Sequence, residues 1–433
     1  MPQSITVVEG EPIIVPPAVS RRTVRERLAR LNARLPFEAV RFGRGGMRAA
    51  DVVGLIDVGV LQIEVLPKTG GDVVAGRSLL LDLLSRAGLV TRAVAATARV
   101  ATARIGINDV LVRAFAEQVL RDLRDGLPRR YSPREDTITT IRGRIDFQHL
   151  ARRVPGRDHL LPVRYAPLQA ENPLSTLVRA VVLELHQLTG SPANRSLLNA
   201  ALNLLPQGPG QALTPTLVDR VHLTVLERRW APVVTLGRLL ASARTPNAIA
   251  GGEDALHGLL FPLHGLFERV VREALREGLD TTPFALGPGG SGQHLLQSAD
   301  GTRRGLYLRP DFGIVSRGGT LDRVLVGDAK WKRLVEQRVH GVQRDDAFQL
   351  ATYMAAHKVH AGVLIFPKAD WMQAGPTPWT YVYQLLGGAT EFHVVATDVP
   401  ALVSRDPVTR AAAVRGLGDA VAAVAALSTA RHA

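Results

Sequence analysis

The segment Arg309–Lys332 reads RPDFGIVSRGGTLDRVLVGDAKWK. Apolar, β-branched runs flank Gly318–Gly319, so the segment predicts two antiparallel strands, Gly305–Val315 and Leu321–Trp331, joined by a tight turn. Antiparallel partners keep a constant sum of residue numbers, which sets Asp311 roughly opposite Asp328. Asp328 and Lys330 lie two apart and share a strand face. One hairpin therefore gathers two carboxylates and an ammonium, and charges that interrupt apolar strands are costly unless they bind something. Carboxylates so arranged suit Mg²⁺, which takes oxygen ligands and keeps several waters. The lysine would orient or help deprotonate a metal-bound water, or steady the charge on a phosphorane. The plainer reading is an Asp–Lys pair at a solvated hairpin end.

Outward from the hairpin, Pro262 can open a helix that closes at Gly278. Its stripe of Leu263, Phe267, Val270 and Ala274 carries Glu268 on the flank. After the hairpin, Asp345–His357 reads as a helix with Gln349 one turn from Tyr353, and Ala361–Phe366 as a strand. Taken singly, Glu268 is explained by an i,i+4 pair with Arg272, and Gln349 by an exposed helix face. Together, the order Glu, Pro-Asp, Asp-x-Lys, Gln on helix, strand, strand, helix is hard to obtain by accident.

The rest of the chain divides by pattern into an α+β multidomain protein. Residues 1–107 are strand-rich (Ile13–Val15, Val52–Ile56, Val60–Leu66) with an amphipathic helix at Arg21–Leu35. Residues 108–250 are helical, beginning with the Val112, Phe115, Val119, Leu123 stripe and continuing through Leu174–Leu188 and Arg195–Leu205. Residues 251–400 hold the hairpin and its helices. Residues 401–433 form an Ala-rich tail with a helix over Arg410–Leu427. No internal repeat is visible.

The 433 residues, 46 % of them apolar, are enough for two or three domains. Lys+Arg 53 against Asp+Glu 39 gives a net charge of +14, which favours a polyanionic partner such as nucleic acid. Only five of those cations are lysines: Lys68, Lys330, Lys332, Lys358 and Lys368. The absence of cysteine excludes disulfides, thiolate zinc sites and a cysteine nucleophile. The apolar stretches look too short for a membrane span, and Glu9 and Glu11 interrupt any signal peptide. A soluble, cytoplasmic chain is expected.

The Glu268, Pro310–Asp311, Asp328-x-Lys330, Gln349 order is the pattern of the PD-(D/E)xK nuclease superfamily, and the chain resembles the McrC-like nuclease subunits of McrBC-type modification-dependent restriction systems. Further blocks carry the resemblance: VGVLQIEVLPK at Val58–Lys68, IRGRIDF at Ile141–Phe147, ENPLSTL at Glu171–Leu177, GLFE at Gly265–Glu268 and the Gln349 helix over Phe348–Ala355. Trp331 stands where a tyrosine is more usual, and the chain beyond Pro400 has no matching block. The resemblance implies an α/β nuclease core and a Mg²⁺-dependent endodeoxyribonuclease. Asp311, Asp328 and Lys330 would be catalytic, with Glu268 and Gln349 in support, and Asp311, Asp328 and Glu268 would hold the metal. It implies an McrB-like AAA+ GTPase partner, which reads modified cytosine in double-stranded DNA and is stimulated by the N-terminal region of the McrC-like chain. It also allows a dimer through the nuclease domain. The rival expectations are a non-catalytic assembly factor that activates the GTPase, and a stand-alone repair nuclease.

Other motifs are weaker. GGDVVAGRS from Gly70 mimics a phosphate-binding loop, but Arg77 holds the required lysine position. GPGGSG over Gly287–Gly292 reads as a loop. His357 and His360 lack a third metal ligand. Arg129–Arg130 and Arg152–Arg153 suit either DNA phosphate or solvent.

Overall fold

A computed structural model describes residues 3–68, 71–90, 107–151, 160–208, 210–243, 257–287, 293–300, 302–317, 323–336, 338–385 and 390–430. Its contacts form two compact units: Met1–Ile107 with Leu259–Ala433, and Asn108–Gly258.

The first unit begins with β1 (Gln3–Val8), α1 (Arg21–Asn32), β2 (Val52–Asp57), β3 (Leu61–Leu66) and α2 (Val73–Arg86). Ser20 caps α1 by accepting from the Thr23 amide, and the helix buries Val24, Leu28 and Leu31, as its spacing predicts. The expected strand at Ile13–Val15 is absent. Pro12 makes only an isolated bridge to Arg48, and Pro16 and Pro17 supply no N–H to continue a ladder. A late strand, β4 (His257–Pro262), completes the N-terminal sheet in the order β1–β3–β2–β4.

From β4 the chain enters α3 (Leu263–Gly278), then β5 (Phe284–Leu286), β6 (Phe312–Ser316), β7 (Arg323–Ala329), α4 (Arg344–His357), β8 (Ala361–Pro367), β9 (Trp379–Gln384), β10 (Glu391–Thr397) and α5 (Pro407–Ala430). Six strands form one sheet in the order β5–β6–β7–β8–β10–β9. β6 and β7 are antiparallel, while β7, β8 and β10 run parallel. Phe312 pairs with Gly327, which leaves Asp311 and Asp328 one step along the same register. The predicted strand Gly305–Val315 is in fact broken. Arg304–Leu308 pairs with Gln293–Gln297 in a separate ribbon, and β6 starts only at Phe312. Pro310 lacks an N–H and restricts Arg309, so pairing stops there. The expected turn at Gly318–Gly319 lies outside the described residues.

Residues of even number on β7 and β8 (Val326, Leu364, Phe366) pack with Leu350, Tyr353 and Met354 of α4. Asp328 falls on this same face. The sheet also packs against α3 and α5. α3 and α5 themselves meet backbone to backbone, since a Cβ on Gly418 would lie 2.3 Å from the Gly278 carbonyl oxygen. By length and composition α5 could cross a membrane, which corrects the expectation that no apolar stretch is long enough. Its Ala413, Val414, Leu417, Val421 and Ala425 are buried, while Val408 and Leu427 are exposed.

In the second unit, helices Ile107–Arg124, Pro173–Leu188, Pro192–Leu204 and Ala231–Ala243 are joined by a three-stranded sheet of Arg134–Ile138, Arg144–Ile145 and Leu161–Tyr165, which the sequence pattern does not show. Two of the quoted blocks have structural work here. In ENPLSTL, Asn172 caps the helix through the Leu174 and Ser175 amides, with Pro173 in its first turn. In IRGRIDF, Asp146 accepts from the Gln148 and His149 amides and pairs with Arg164 at 2.7 Å.

Candidate active site

Asp328 lies near the end of β7 and is only 3 % exposed. Asp311 stands just ahead of β6, half-buried, and its Oδ2 accepts from the Ala329 amide at 2.8 Å. Burial first, then the neighbouring carboxylates of Asp328 and Glu268, push the Asp311 carboxyl up to about 8. Like charges cannot easily ionise together in a shared, poorly solvated site. The sequence expectation that Asp311 and Asp328 converge is met, and Glu268, on α3, is close enough for its charge to be felt by Asp311.

Lys330 follows β7, and its amide donates to the Ile365 carbonyl, so the backbone stays docked on β8. Its ammonium contacts Asp328, donates to Gln349 Oε1 at 2.7 Å and lies 3.9 Å from Asp346. Burial alone would lower its pKa, but the carboxylates of Asp328, Asp346 and Asp311 outweigh that and hold it above the ordinary lysine value. Gln349 passes the chain on by donating to the Tyr353 hydroxyl at 2.7 Å. Thus α4 places Gln349 against the lysine.

Three residues to which the sequence assigns no part in the site also meet it or its flank. Asp346 is buried and receives two 3.0 Å bonds from Lys332 while facing Lys330. Its signal was present, since it precedes Gln349 by one helical turn. Arg272 donates to the backbone carbonyl of Asp311, and among the described residues no ion pair joins it to Glu268. Trp331, one residue past Lys330, packs edge-on against Phe267 with centroids 5.4 Å apart and donates its indole N–H to Glu9 at 2.8 Å. Glu9 is 5 % exposed. Its burial raises the carboxyl pKa against the opposing pull of bonds from Trp331 and the Lys68 amide.

Among the described residues, no three carboxylate or histidine side chains form a metal-holding group. Mg²⁺ does not require one, because it is typically held by one or two carboxylates and retains waters. A half-buried and a buried carboxylate, the first pushed toward neutrality by burial and then by its neighbour, are a donor set that a hard cation would relieve. The residues fit the metal.

The weaker motifs resolve as structure. Asp72 is the N-cap of α2, and Arg77 makes 2.6 and 2.7 Å bonds to the buried Glu64, so this region forms no phosphate loop in the described residues. His357 sits 3.0 Å from Arg323, and burial with that cation lowers its pKa. Arg130 is engaged by Glu227. Gly70, residues 288–292 and Arg152–Arg153 lie outside the described residues.

A family model described as the McrBC 5-methylcytosine restriction system component matches residues 47–367. Among solved structures, the chain is similar to one described as a refined half-complex from a tetradecameric assembly of Thermococcus gammatolerans McrB AAA+ hexamers with bound McrC. The match has 18 % identity and a TM-score of 0.61, and covers 96 % of this chain and 100 % of the other. The cryo-EM structure of the McrBC complex from the same organism matches at 19 % identity and a TM-score of 0.52, over 64 % of this chain and 89 % of the other. No curated protein matches.

Proposed function

Because the chain belongs to the family of McrBC 5-methylcytosine restriction system components, we propose that it is the DNA-cutting subunit of such a system, a Mg²⁺-dependent endodeoxyribonuclease of the PD-(D/E)xK type. The observation that carries this reading is the Asp311–Asp328 pair with the Lys330 ammonium, one residue past β7, in contact with Asp328. Asp311, Asp328 and Glu268 would hold Mg²⁺, whose chemistry is to polarise a phosphoryl oxygen and acidify water. Lys330 faces developing negative charge on the scissile phosphate, where a fixed cation in a poorly solvated site stabilises the transition state. Gln349 and Asp346 keep that cation in place, and the Ala329 amide and Arg272 fix Asp311. A partner with an AAA+ GTPase ring, like the McrB hexamers in the similar assembly, would choose modified DNA and be stimulated by this chain.

The test is cleavage of methylated duplex DNA by the full chain with its partner, GTP and Mg²⁺. Asp311→Ala is expected to lower cleavage by more than about 100-fold, since even outer-shell changes at metal sites cost about 10–100-fold. Undiminished cutting by that variant would refute the assignment.

A further inference from the structure

Beside the carboxylate site lies a cleft of about 520 Å³ whose walls carry five cations, Arg41, Lys68, Lys332, Arg333 and Lys368, against two carboxylates, Glu9 and Asp51. A second hollow of about 310 Å³ shares Lys68, Arg333, Pro367 and Lys368 and adds Asp370 and Asp398, so the whole groove carries five cations against four carboxylates. Three of the chain's five lysines therefore line one groove. A fourth, Lys330, is one side chain away, because Asp346 faces both Lys330 and Lys332. Where 48 of 53 cations are arginine, such a concentration of compact ammonium groups is a distinct chemical feature, since lysine acts on phosphate as a point charge and arginine as a planar fork.

The charges differ in how far they are already engaged. Arg41 pairs with Asp51 and Glu38, Arg333 with Asp370, and Lys332 with Asp346. Among the described residues the Lys368 ammonium donates to the neutral carbonyls of Gln373 and Gly375, both at 2.8 Å, and feels the charge of Asp398 without an ion pair to it. Lys68 is exposed and has no ion pair among the described residues. The Trp331 indole N–H is taken by Glu9, and the Gln343 carbonyl by Lys332. Lysine meets phosphate as a point charge, and phosphate contacts position a nucleic acid without reading its sequence.

We propose that this groove holds backbone phosphates of the DNA strand adjoining the scissile bond, guiding it from Lys68 and Lys368 past Lys332 to the Asp311–Asp328–Lys330 site. The proposal rests on the nuclease reading and assigns the path of its substrate.

The experiment is fluorescence anisotropy of the full chain on a labelled duplex in EDTA, with salt raised from about 50 to about 200 mM. Lys68→Gln, at an exposed position, is expected to lower the slope of log affinity against log salt by about 1, equally for methylated and unmethylated DNA. Lys68→Glu should lower affinity further, while Lys358→Gln, outside the groove, keeps the parent slope. Unchanged slopes in both Lys68 variants would overturn the proposal, as would a chain whose DNA binding shows no salt dependence. Loss of GTP or inorganic phosphate binding in Lys68→Gln, with the DNA slope intact, would make the groove a small-anion site and also overturn it. Asp328→Asn separates the two readings. If it abolishes cleavage while the Lys68 variants bind DNA normally, the groove fails and the nuclease reading stands. If it cuts normally while Lys68→Gln loses slope, the nuclease reading fails and the groove stands.

Discussion

Lys330 illustrates what a single residue contributes here: its ammonium meets Asp328, Gln349 and Asp346 at once. Gln349→Ala removes the neutral partner without touching a carboxylate, so it is expected to reduce cleavage about 10-fold while leaving Mg²⁺ dependence in place. A metal titration of the cleavage rate checks this. Asp311 allows a pH prediction. Its folded-state carboxyl is raised to about 8, so without metal its contribution to stability is lost as pH rises from the ordinary carboxylate range through that value. A bound cation would offset the repulsion and compete with the proton. Mg²⁺ should therefore raise the Tm of the full chain more at about pH 8 than at about pH 6; equal shifts would contradict metal binding at this pair. Asp311, Asp328 and Lys330 were legible in the sequence because alternation and hairpin register fix which side chains share a face. The Glu9–Trp331 bond was not, because no local pattern announces a contact between residues so far apart in the chain.

At the scale of elements, β7 was legible because a β-branched, apolar run with an Asp-x-Lys end has one natural reading. The break before β6 was missed because the pattern continues through Arg309–Pro310 although the ladder cannot. α5 was found, but its role was not. Its small residues serve the close crossing with α3, where a Gly418 side chain would strike the Gly278 backbone. Gly418→Ala is accordingly expected to destabilise by about 1–3 kcal/mol through overpacking, although intrinsic helix propensity favours alanine by about 1 kcal/mol. Urea unfolding reads the sign directly, and a stabilised variant would show that the helices can separate freely.

At the scale of the whole molecule, the N-terminal sheet takes its last strand, β4, from the segment that leads into α3. Composition and loop signals could not reveal this, since strand pairing between distant segments leaves no periodic trace. A fragment ending at residue 250 would lack β4 and leave an edge of β2 unpaired, so it should unfold at lower urea than the full chain or aggregate. Circular dichroism of the fragment checks this, and a cooperative transition as stable as the parent's would contradict it. The division of labour between cutting and partner activation is therefore best examined in the intact chain. The most direct measurement is Asp328→Asn, which keeps the side chain's size and removes its charge, assayed with the GTPase partner, GTP, Mg²⁺ and methylated duplex DNA. The account predicts that strand cleavage disappears while stimulation of GTP hydrolysis persists at the parent level; normal cleavage by this variant would contradict it.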